Sequence, residues 1–279
     1  MSAGLVPEAG PFSDCAYVTL ATNADYALGA LALVNSIKAT ETRADCVVLH
    51  TAVPDDALDL LRRAGARLIR VGLLDTSVGF NAAHTRDALH ARAAFTKGTK
   101  PPFHTPLDNF VKLRLWQLTE YRAVVFVDAD AVMLKNCDRL FGYPGFCAAP
   151  NVYESLADFH RLNSGVFTAR PSLKVFDTMV ACLDKPGFFW RRTDQTFLET
   201  FFPDWHGLPV FYNMLQYVWF NMPELWAWDE IHILHYQYEK PWHDHDKADR
   251  LRPLIDLWRG YAGWGPRLDP AGLPGPLSL

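Results

Sequence analysis

The sequence has few cysteines and no long apolar run. An odd number of scattered cysteines without a C-x-x-C pair does not suit a secreted disulfide framework, so we predict free, mostly buried thiols. The five are Cys15, Cys46, Cys137, Cys147 and Cys182. The longest apolar stretch, at residues 27–34, is too short to span a bilayer, and residues 1–10 lack the basic and apolar regions of a signal peptide. We therefore expect a cytoplasmic protein without a membrane span.

Basic residues are not in excess either. Lys and Arg number 27 against 31 Asp and Glu, which gives a formal net charge of −4. Nucleic-acid binding needs a basic face, so this balance argues against a nucleic-acid partner. Apolar residues make up 49% of 279, enough for the core of one large domain. We expect that domain at residues 15–262, after an N-terminal arm at 1–14 and before a poorly ordered tail, rich in Pro and Gly, at 263–279.

Strand and helix patterns alternate along the first quarter of the chain. Residues 16–22 are rich in β-branched and aromatic side chains, and the apolar residues after Asn23 recur at helical spacing. The alternation continues through residues 46–71, and this order is typical of a parallel sheet covered by helices. The predicted fold class is α/β, a single domain with a Rossmann-like, mainly parallel sheet flanked by helices.

Residues 75–105 interrupt this alternation with glycines, prolines and basic residues. A connection of this length is usually functional or mobile, and we expect a lid that orders over a bound ligand. Beyond it the patterns resume. Helices are predicted at 107–119, 172–182, 194–202 and 247–261, and strands at 124–127, 146–150, 164–169 and 232–236.

Two acidic residues end the most apolar strand, where Val124–Val127 is followed by Asp128-Ala129-Asp130. Ligands of open α/β sheets bind outside the carboxyl ends of the strands. Two fixed carboxylates so close repel each other and lose hydration unless a cation lies between them. Such oxygen ligands suit Mg²⁺ or Mn²⁺, which also bind phosphate oxygens. The alternative is a solvated turn in which an Asp caps the next element.

Seven segments, taken in order, resemble one known family. They are YVTLATNADY (17–26), VKLRLW (111–116), VVFVDADAVMLKNCDRLF (124–141), NSGVF (163–167), TDQTFLETFF (193–202), LPVFYNML (208–215) and HYQYEKPW (235–242). Together they are similar to the retaining glycosyltransferases of the glycogenin and galactinol synthase family, family 8. The resemblance covers about residues 16–260. It implies a GT-A fold that binds a UDP-sugar with Mn²⁺, or with Mg²⁺ in its place.

The resemblance also implies roles for individual residues. The residues that match donor-binding positions are Leu20, Thr22, Asn23, Tyr26, Lys112, Asp128, Ala129, Asn163, Ser164, Gly165 and Lys240. The residues that match metal ligands are Asp128, Asp130 and His235, and those that match catalytic positions are Asp194, Gln195 and Lys240. Lys240 and the metal would stabilise the leaving UDP, while Asp194 and Gln195 would lie beside the anomeric carbon.

The expected activity is transfer of glucose or galactose from UDP-glucose or UDP-galactose to a hydroxyl of a small molecule or glycan. The sequence leaves the oligomeric state open, with a homodimer as one alternative. Three positions depart from glycogenin: Arg191 replaces an acidic residue, the His235-to-Lys240 segment lacks a glycine and is one residue shorter, and Phe220 stands at the self-glucosylated tyrosine. The acceptor therefore stays open.

The sequence leaves two alternatives to a glycosyltransferase. A UDP-sugar-binding regulatory or scaffold protein would not need all of the matching acidic, His and Lys residues. A nucleotidyltransferase would need a glycine-rich, basic loop after the first strand, which residues 21–24 do not provide.

Residues 243–246, His-Asp-His-Asp, are a weaker candidate for a second metal site. Among the aromatic residues of 211–228, Trp219 or Trp226 could face the acceptor.

Overall fold

The structure is a computed structural model that describes residues 12–85, 106–185, 187–189 and 193–276. Ten strands form among these residues: β1 (Cys15–Ala21), β2 (Asp45–His50), β3 (Arg67–Arg70), β4 (Ala123–Val127), β5 (Ala131–Met133), β6 (Cys147–Pro150), β7 (Leu162–Ala169), β8 (His206–Gly207), β9 (Met214–Leu215) and β10 (Ile233–His235). Seven of them form the main sheet in the order β3-β2-β1-β4-β7-β6-β8. Its pairs are parallel except for β7, which runs antiparallel to both neighbours. The predicted α/β class with a mainly parallel sheet is confirmed.

Eight α-helices lie within the described part of the chain. They are α1 (Ala24–Ala39), α2 (Asp55–Arg63), α3 (Val78–Ala83), α4 (Pro106–Asn109), α5 (Leu173–Leu183), α6 (Asp194–Phe201), α7 (Val218–Asn221) and α8 (Arg252–Ala262). The start of α1 follows from Asn23, whose side-chain oxygen accepts a hydrogen bond from the backbone N–H of Tyr26 at 3.0 Å. Gly65, with φ of +88°, follows α2 and allows the sharp turn into β3.

The predicted helix at 107–119 is wrong in type. After the single turn of α4, the chain forms a 3₁₀-helix at Phe110–Gln117. Six of its eight residues are buried, so it is enclosed by the protein and is not an amphipathic surface helix. Tertiary packing therefore overrides the local helical pattern. It also buries Lys112, which a surface helix would leave in water.

The predicted helix at 247–261 begins later than expected, at Arg252. Pro253 lies in its first turn, where a residue without a backbone N–H is tolerated because that N–H would have no partner within the helix. If the helix began one turn earlier, Pro253 would lie in its interior, and one backbone hydrogen bond of the helix would be lost. The helix ends before Gly263, which has φ of +79°.

Side chains on the strands alternate between two hydrophobic clusters on the two faces of the main sheet. In β4, Val125 and Val127 pack on one face, while Val124 and Phe126 pack on the other. Both faces are buried, which explains why this strand is apolar throughout and not alternating. All five cysteines are free and buried, as predicted.

A second, three-stranded sheet has the order β5-β10-β9. The sequence predicts β10 but not its two neighbours, because strands of two or three residues are too short to show an alternating pattern. The antiparallel pairing of β10 with β5 brings residues far apart in the sequence side by side: His235 pairs with Ala131. This small sheet therefore connects the strand that ends in the two acidic residues with the C-terminal part of the chain.

The C-terminal tail packs against the domain as far as Pro274, in contrast to the expected poor order. Leu268 and Leu273 lie against a hydrophobic cluster, and the indole N–H of Trp228 donates to the carbonyl of Pro274 at 3.0 Å. Gly260 allows the tail to approach α8, since a Cβ there would lie 2.6 Å from the carbonyl oxygen of Pro266. The predicted arm at 1–14 lies largely outside the described residues. None of the described helices combines the length and the apolar character needed to cross a membrane.

Candidate active site

Three side chains suited to metal binding meet between the two sheets. Asp128 directly follows β4, Asp130 directly precedes β5, and His235 is the last residue of β10. His235 Nε2 lies 3.2 Å from Asp130 Oδ1 and 3.9 Å from Asp128 Oδ2. One ligand atom from each of the three lies within 4.8 Å of the others. The fold thus brings together the three residues that the sequence proposes as metal ligands.

The orientation of His235 is fixed by an amide network. Its Nδ1 lies 2.9 Å from Asn213 Oδ1, and Asn213 Nδ2 donates to Asn163 Oδ1 at 2.8 Å. The second contact sets the Asn213 amide with its oxygen toward the imidazole, so Nδ1 is the donor. The lone pair of His235 Nε2 is then directed to the side of the two carboxylates. Asn213 is not among the predicted site residues, although it lies in a segment, residues 208–215, that matches the family.

Gly165 leaves the space that the imidazole of His235 occupies. A Cβ at this position would lie 2.5 Å from His235 Cε1 and 2.6 Å from Nδ1, closer than any side chain allows. The carbonyl of Gly165 also accepts a hydrogen bond from the backbone N–H of Asp128 at 2.8 Å. The expected turn at residues 163–165 is therefore the start of strand β7, and this segment contacts both Asp128 and His235 of the metal-type group Asp128–Asp130–His235. This contact requires glycine for steric reasons.

The donor set fits a divalent cation. Asp128 and Asp130 offer carboxylate oxygens and His235 offers a neutral ring nitrogen, a combination that suits Mn²⁺ and accommodates Mg²⁺. The hydrogen bond from His235 to Asn213 is the outer-shell contact that metal-binding histidines commonly make. These three residues would hold the ion.

The two carboxylates differ in their electrostatic surroundings. Burial alone would raise the pKa of Asp130, but the ammonium of Lys240 and, when its ring is protonated, the imidazolium of His235 outweigh it and lower that pKa. Burial raises the pKa of Asp128, and the nearby Lys112 only partly opposes this effect. Lys240 donates to Asp130 Oδ2 and, at 2.9 Å, to the carbonyl of Tyr236. Asp130 is thus already paired with a cation, whereas Asp128 has an unfavourable charge that a metal would neutralise.

A second polar group lies on the other side of Asp128. The buried ammonium of Lys112 is 2.8 Å from Asp194 Oδ2 and 3.3 Å from Asp128 Oδ1. Burial alone would lower the pKa of Lys112, but the two carboxylates raise it above its usual range. Ser164 Oγ donates to Asp194 Oδ2 at 2.8 Å, and the backbone N–H of Ser164 donates to Gln195 Oε1 at 3.4 Å. The predicted catalytic pair and the predicted donor-binding residues at the start of β7 are therefore in direct contact.

The first turn of α6 positions this pair. Thr193 caps the helix, its hydroxyl accepting from the N–H of Thr196 at 3.2 Å, while Thr196 Oγ1 accepts from the N–H of Thr193. Asp194 and Gln195 are the first two helical residues. The positive end of the helix dipole stabilises a carboxylate there. Asp194 is thus both the first residue of a helix and a member of the site.

The residues expected to hold the nucleotide lie at the carboxyl end of β1. The carbonyl of Thr22 accepts from the hydroxyl of Thr51 at 3.2 Å, and Asn23 caps α1. Burial raises the pKa of Tyr26 well above its usual range, with smaller contributions from Asp130 and Asp128. Its hydroxyl therefore lies within electrostatic reach of the metal-type group. The predicted Leu20 and Ala129 are also buried at this end of the sheet.

Some predicted features are not part of this group. Within residues 12–85, 106–185, 187–189 and 193–276, the Asp128–Asp130–His235 set is the one cluster with metal-ligand spacing, so residues 243–246 do not form a second one. Instead His243 Nε2 lies 3.1 Å from Asp25 Oδ1. Trp219 and Trp226 are both buried and pack edge to face at 5.0 Å, so neither faces an acceptor. Core packing is the physical reason.

Two further predictions fall on parts of the chain that are not described. Of the proposed lid at 75–105, residues 86–105 lie outside the described residues. The described portion contains α3, which begins after Ser77, and Ser77 Oγ donates to Asp184 Oδ1 at 2.8 Å. Arg191 also lies outside the described residues.

Several known proteins are similar to this chain in sequence. The family model described as glycosyl transferase family 8 matches residues 17–145. UDP-glucuronate:xylan alpha-glucuronosyltransferase 2 of Arabidopsis thaliana is 30% identical over 242 residues, which cover 81% of this chain and 35% of that protein. Human Glycogenin-1 is 34% identical over 209 residues, which cover 72% of this chain and 54% of that protein. The chain thus spans about a third to a half of the length of these curated relatives.

Solved structures share the fold. The galactosyltransferase LgtC superposes with a TM-score of 0.57 at 14% identity, covering 91% of this chain and 97% of that one. The glycosyltransferase GlyE of Streptococcus pneumoniae gives a TM-score of 0.60 at 17% identity, with 88% and 59% coverage. At these identities the likeness concerns the fold alone, and it confirms the predicted GT-A architecture. Together with the sequence matches, it leads to one conclusion: residues 17–145 match glycosyltransferase family 8, and most of the chain is similar in sequence to glycogenin and to the xylan glucuronosyltransferases.

Proposed function

We propose that this protein transfers a hexose, glucose or galactose, from its UDP derivative to a hydroxyl of a small molecule or glycan, with retention of anomeric configuration. The observation that carries the proposal is the joint placement of the metal-type group Asp128–Asp130–His235 and the pair Asp194–Gln195, linked through Lys112. A protein that only bound nucleotide sugars would not need the second group. The cytoplasm, suggested by the free cysteines, is part of the proposal.

The three ligand residues would hold Mn²⁺, with Mg²⁺ as the alternative. When bound, such an ion neutralises diphosphate oxygens and stabilises the negative charge that develops on the leaving UDP. Lys240 lies beside Asp130 and can provide a second positive charge to the same diphosphate. Leu20, Thr22, Asn23 and Tyr26 would hold the uridine at the carboxyl end of β1, where ligands of such sheets bind.

The start of β7, at residues 163–165, and the first turn of α6 would form the sugar pocket. Asp194 is oriented by Lys112 and Ser164. Its carboxylate can accept hydrogen bonds from hydroxyls of the sugar and stabilise positive charge at the anomeric carbon. Gln195 would contribute a polar contact beside it. Because Lys112 already lies between two carboxylates, it fixes the position of Asp194 and does not contribute an unbalanced charge.

The charges of the site support a neutral donor sugar. In the described part of the site, the buried ammonium groups are those of Lys112 and Lys240, and each is paired with a carboxylate. A glucuronic acid donor would add a carboxylate without an available partner among these groups. One of the relatives is named for UDP-glucuronate, so this donor is the relevant comparison.

The test is UDP release by the purified protein from UDP-glucose, UDP-galactose and UDP-glucuronate, each with Mn²⁺, with Mg²⁺ and with a chelator. We expect metal-dependent release from a neutral donor, and NMR of the product should show the anomeric configuration of the donor. Tight UDP binding without turnover of any donor would instead support a regulatory binding protein. Release from UDP-glucuronate alone would show the proposed donor class to be wrong.

A further inference from the structure

The segment between His235 and Lys240 contains a tyrosine in a backbone conformation that favours glycine. Tyr238 has φ of +66°, whereas residues other than Gly, Asn and Asp rarely adopt positive φ. The resembled family has a glycine in this segment, so here the chain retains a bulky residue despite the strain. Strain of this kind at a ligand site points to a use for the side chain.

The ring of Tyr238 is supported by aromatic neighbours. It lies 5.1 Å from the ring of Tyr217 at 62° and 6.0 Å from the ring of Tyr153 at 46°. Tyr217 is buried, and its hydroxyl donates to Glu239 Oε2 at 2.8 Å, which fixes that ring. Tyr238 and Tyr153 both remain partly exposed. The partly exposed ring of Tyr238 thus lies between the ring of Tyr153 and the fixed ring of Tyr217.

These two rings adjoin the candidate active site. The hydroxyl of Tyr153 accepts a hydrogen bond from Asn163 Nδ2 at 3.0 Å, and Asn163 belongs to the proposed sugar-binding segment at the start of β7. Tyr238 is three residues from His235 and two from Lys240, which pairs with Asp130. A ligand that contacted both rings would therefore lie next to the donor sugar, where an acceptor has to be.

We propose that Tyr238 is a specificity-determining residue that stacks on a pyranose ring of the acceptor, with Tyr153 beside it. An aromatic ring with a polar hydroxyl offers an apolar face to the C–H groups of a sugar and a hydrogen-bonding edge to its hydroxyls. A rigid aromatic side chain also loses little conformational entropy when it contacts a ligand. The acceptor assigned in this way is a saccharide. This assignment rests on the proposed function, since only a transferase has an acceptor.

The experiment compares Tyr238→Gly and Tyr238→Phe with the wild type. The probes are maltose, cellobiose and xylobiose, and the readouts are the KM for the disaccharide and the calorimetric Kd for UDP with Mn²⁺. We expect Tyr238→Gly to raise the disaccharide KM about tenfold or more, which corresponds to the loss of a stacking contact. Tyr238→Phe retains the ring and should stay close to the wild type. The Kd for UDP should change little in both variants.

A matched control separates the ring from the backbone strain. Glu41 also has positive φ, +58°, but follows α1 and is not part of the site. Glu41→Gly should relieve comparable strain without changing the disaccharide KM. If Glu41→Gly and Tyr238→Gly have the same effect, or if Tyr238→Gly weakens UDP binding as much as disaccharide binding, the role of Tyr238 is structural and the proposal is wrong.

Two other outcomes distinguish this proposal from the proposed function. If the wild type releases UDP but none of the three disaccharides increases the rate, the saccharide acceptor is wrong and the transferase assignment stands. If the wild type releases UDP from no donor, with or without disaccharide, the proposed function fails and this inference fails with it.

Discussion

Lys112 Nζ lies 2.8 Å from Asp194 Oδ2 and 3.3 Å from Asp128 Oδ1, so one buried ammonium joins the metal-type group to the first turn of α6. The same nitrogen is 3.4 Å from the carbonyl of Ser164 in the proposed sugar-binding segment of β7. Three elements that are distant in sequence therefore depend on one charge. Its removal would leave two buried carboxylates without their partner.

We expect Lys112→Met to destabilise the protein by about 3–5 kcal/mol, the usual effect of removing one member of a buried ion pair. Urea unfolding gives the free energy of unfolding directly. The matched control is Lys174→Met, since Lys174 is an exposed residue of α5 and its replacement should change stability by no more than about 0.5 kcal/mol. Equal losses in the two variants would contradict a central role for the Lys112 ion pair.

The two aspartates should respond differently to neutralisation. The folded state lowers the pKa of Asp130, so Asp130 stabilises the fold at pH above its unfolded pKa of about 4 and loses that effect as pH falls through the lower folded value. The folded state raises the pKa of Asp128, so its charge opposes folding at neutral pH and this cost disappears as pH falls. Without metal at pH 7, Asp130→Asn should therefore destabilise and Asp128→Asn should be neutral or stabilising.

Thermal unfolding of both variants at pH 7, with a chelator and with Mn²⁺, provides the measurement. Both variants should lose the rise in melting temperature that Mn²⁺ with UDP gives to the wild type, since each removes a proposed ligand. An identical loss of stability in the two variants without metal would contradict the difference between their surroundings. A wild-type rise that persists in both would exclude the metal role.

Lys240 is paired with the carboxylate of Asp130, which is also one of the proposed metal ligands. Lys240 donates to Asp130 Oδ2, so a bound cation has to compete with this ammonium for the same group. We expect Lys240→Met to bind Mn²⁺ alone about tenfold more tightly, because the competitor is removed, and to bind UDP with Mn²⁺ about tenfold more weakly, because a diphosphate contact is lost. Calorimetry measures both constants. A loss of Mn²⁺ affinity in the absence of UDP would show that Lys240 supports the metal site and does not compete with it.

The close approach of Gly165 to His235 predicts a sensitive position. Gly165→Ala should displace the imidazole, because the added methyl group would overlap its ring atoms. Loss of an oriented ligand commonly reduces metal affinity about 10–100-fold. Gly145→Ala is the matched control, since a Cβ there would have no neighbour within 4 Å. Mn²⁺ affinity that is equal in the two variants would show that the steric argument is wrong.

We expect no self-glycosylation at the position that corresponds to the glycogenin tyrosine. Phe220 has no hydroxyl, and the nearest tyrosines along the chain are poor substitutes. Tyr217 is buried with its hydroxyl bonded to Glu239, and Tyr212 is buried as well. Intact-mass spectrometry after incubation with UDP-glucose, UDP-galactose and Mn²⁺ is the check. A stoichiometric gain of hexose, mapped to Tyr217 or Tyr212, would place the protein among self-priming enzymes.

The local pattern alone determined much of the architecture. The alternation of β1, α1, β2, α2 and β3 is readable because each element is long enough to show its own periodicity. The acidic pair after β4 stands out for a related reason, since an apolar strand followed by two carboxylates is unusual in any context. The order of seven motifs then indicated the family and its site residues, including His235 far along the chain.

Only the tertiary structure decided how these residues meet. The short strands β5 and β9 carry no sequence pattern, yet the pairing of β5 with β10 places His235 beside Asp130. The role of Asn213 and the burial of Lys112 between two carboxylates likewise depend on contacts across more than one element. Charges and amides carry no information about their partners in a linear sequence. The fold decides whether a lysine is solvated on a surface helix or, as here, is the buried cation of the site.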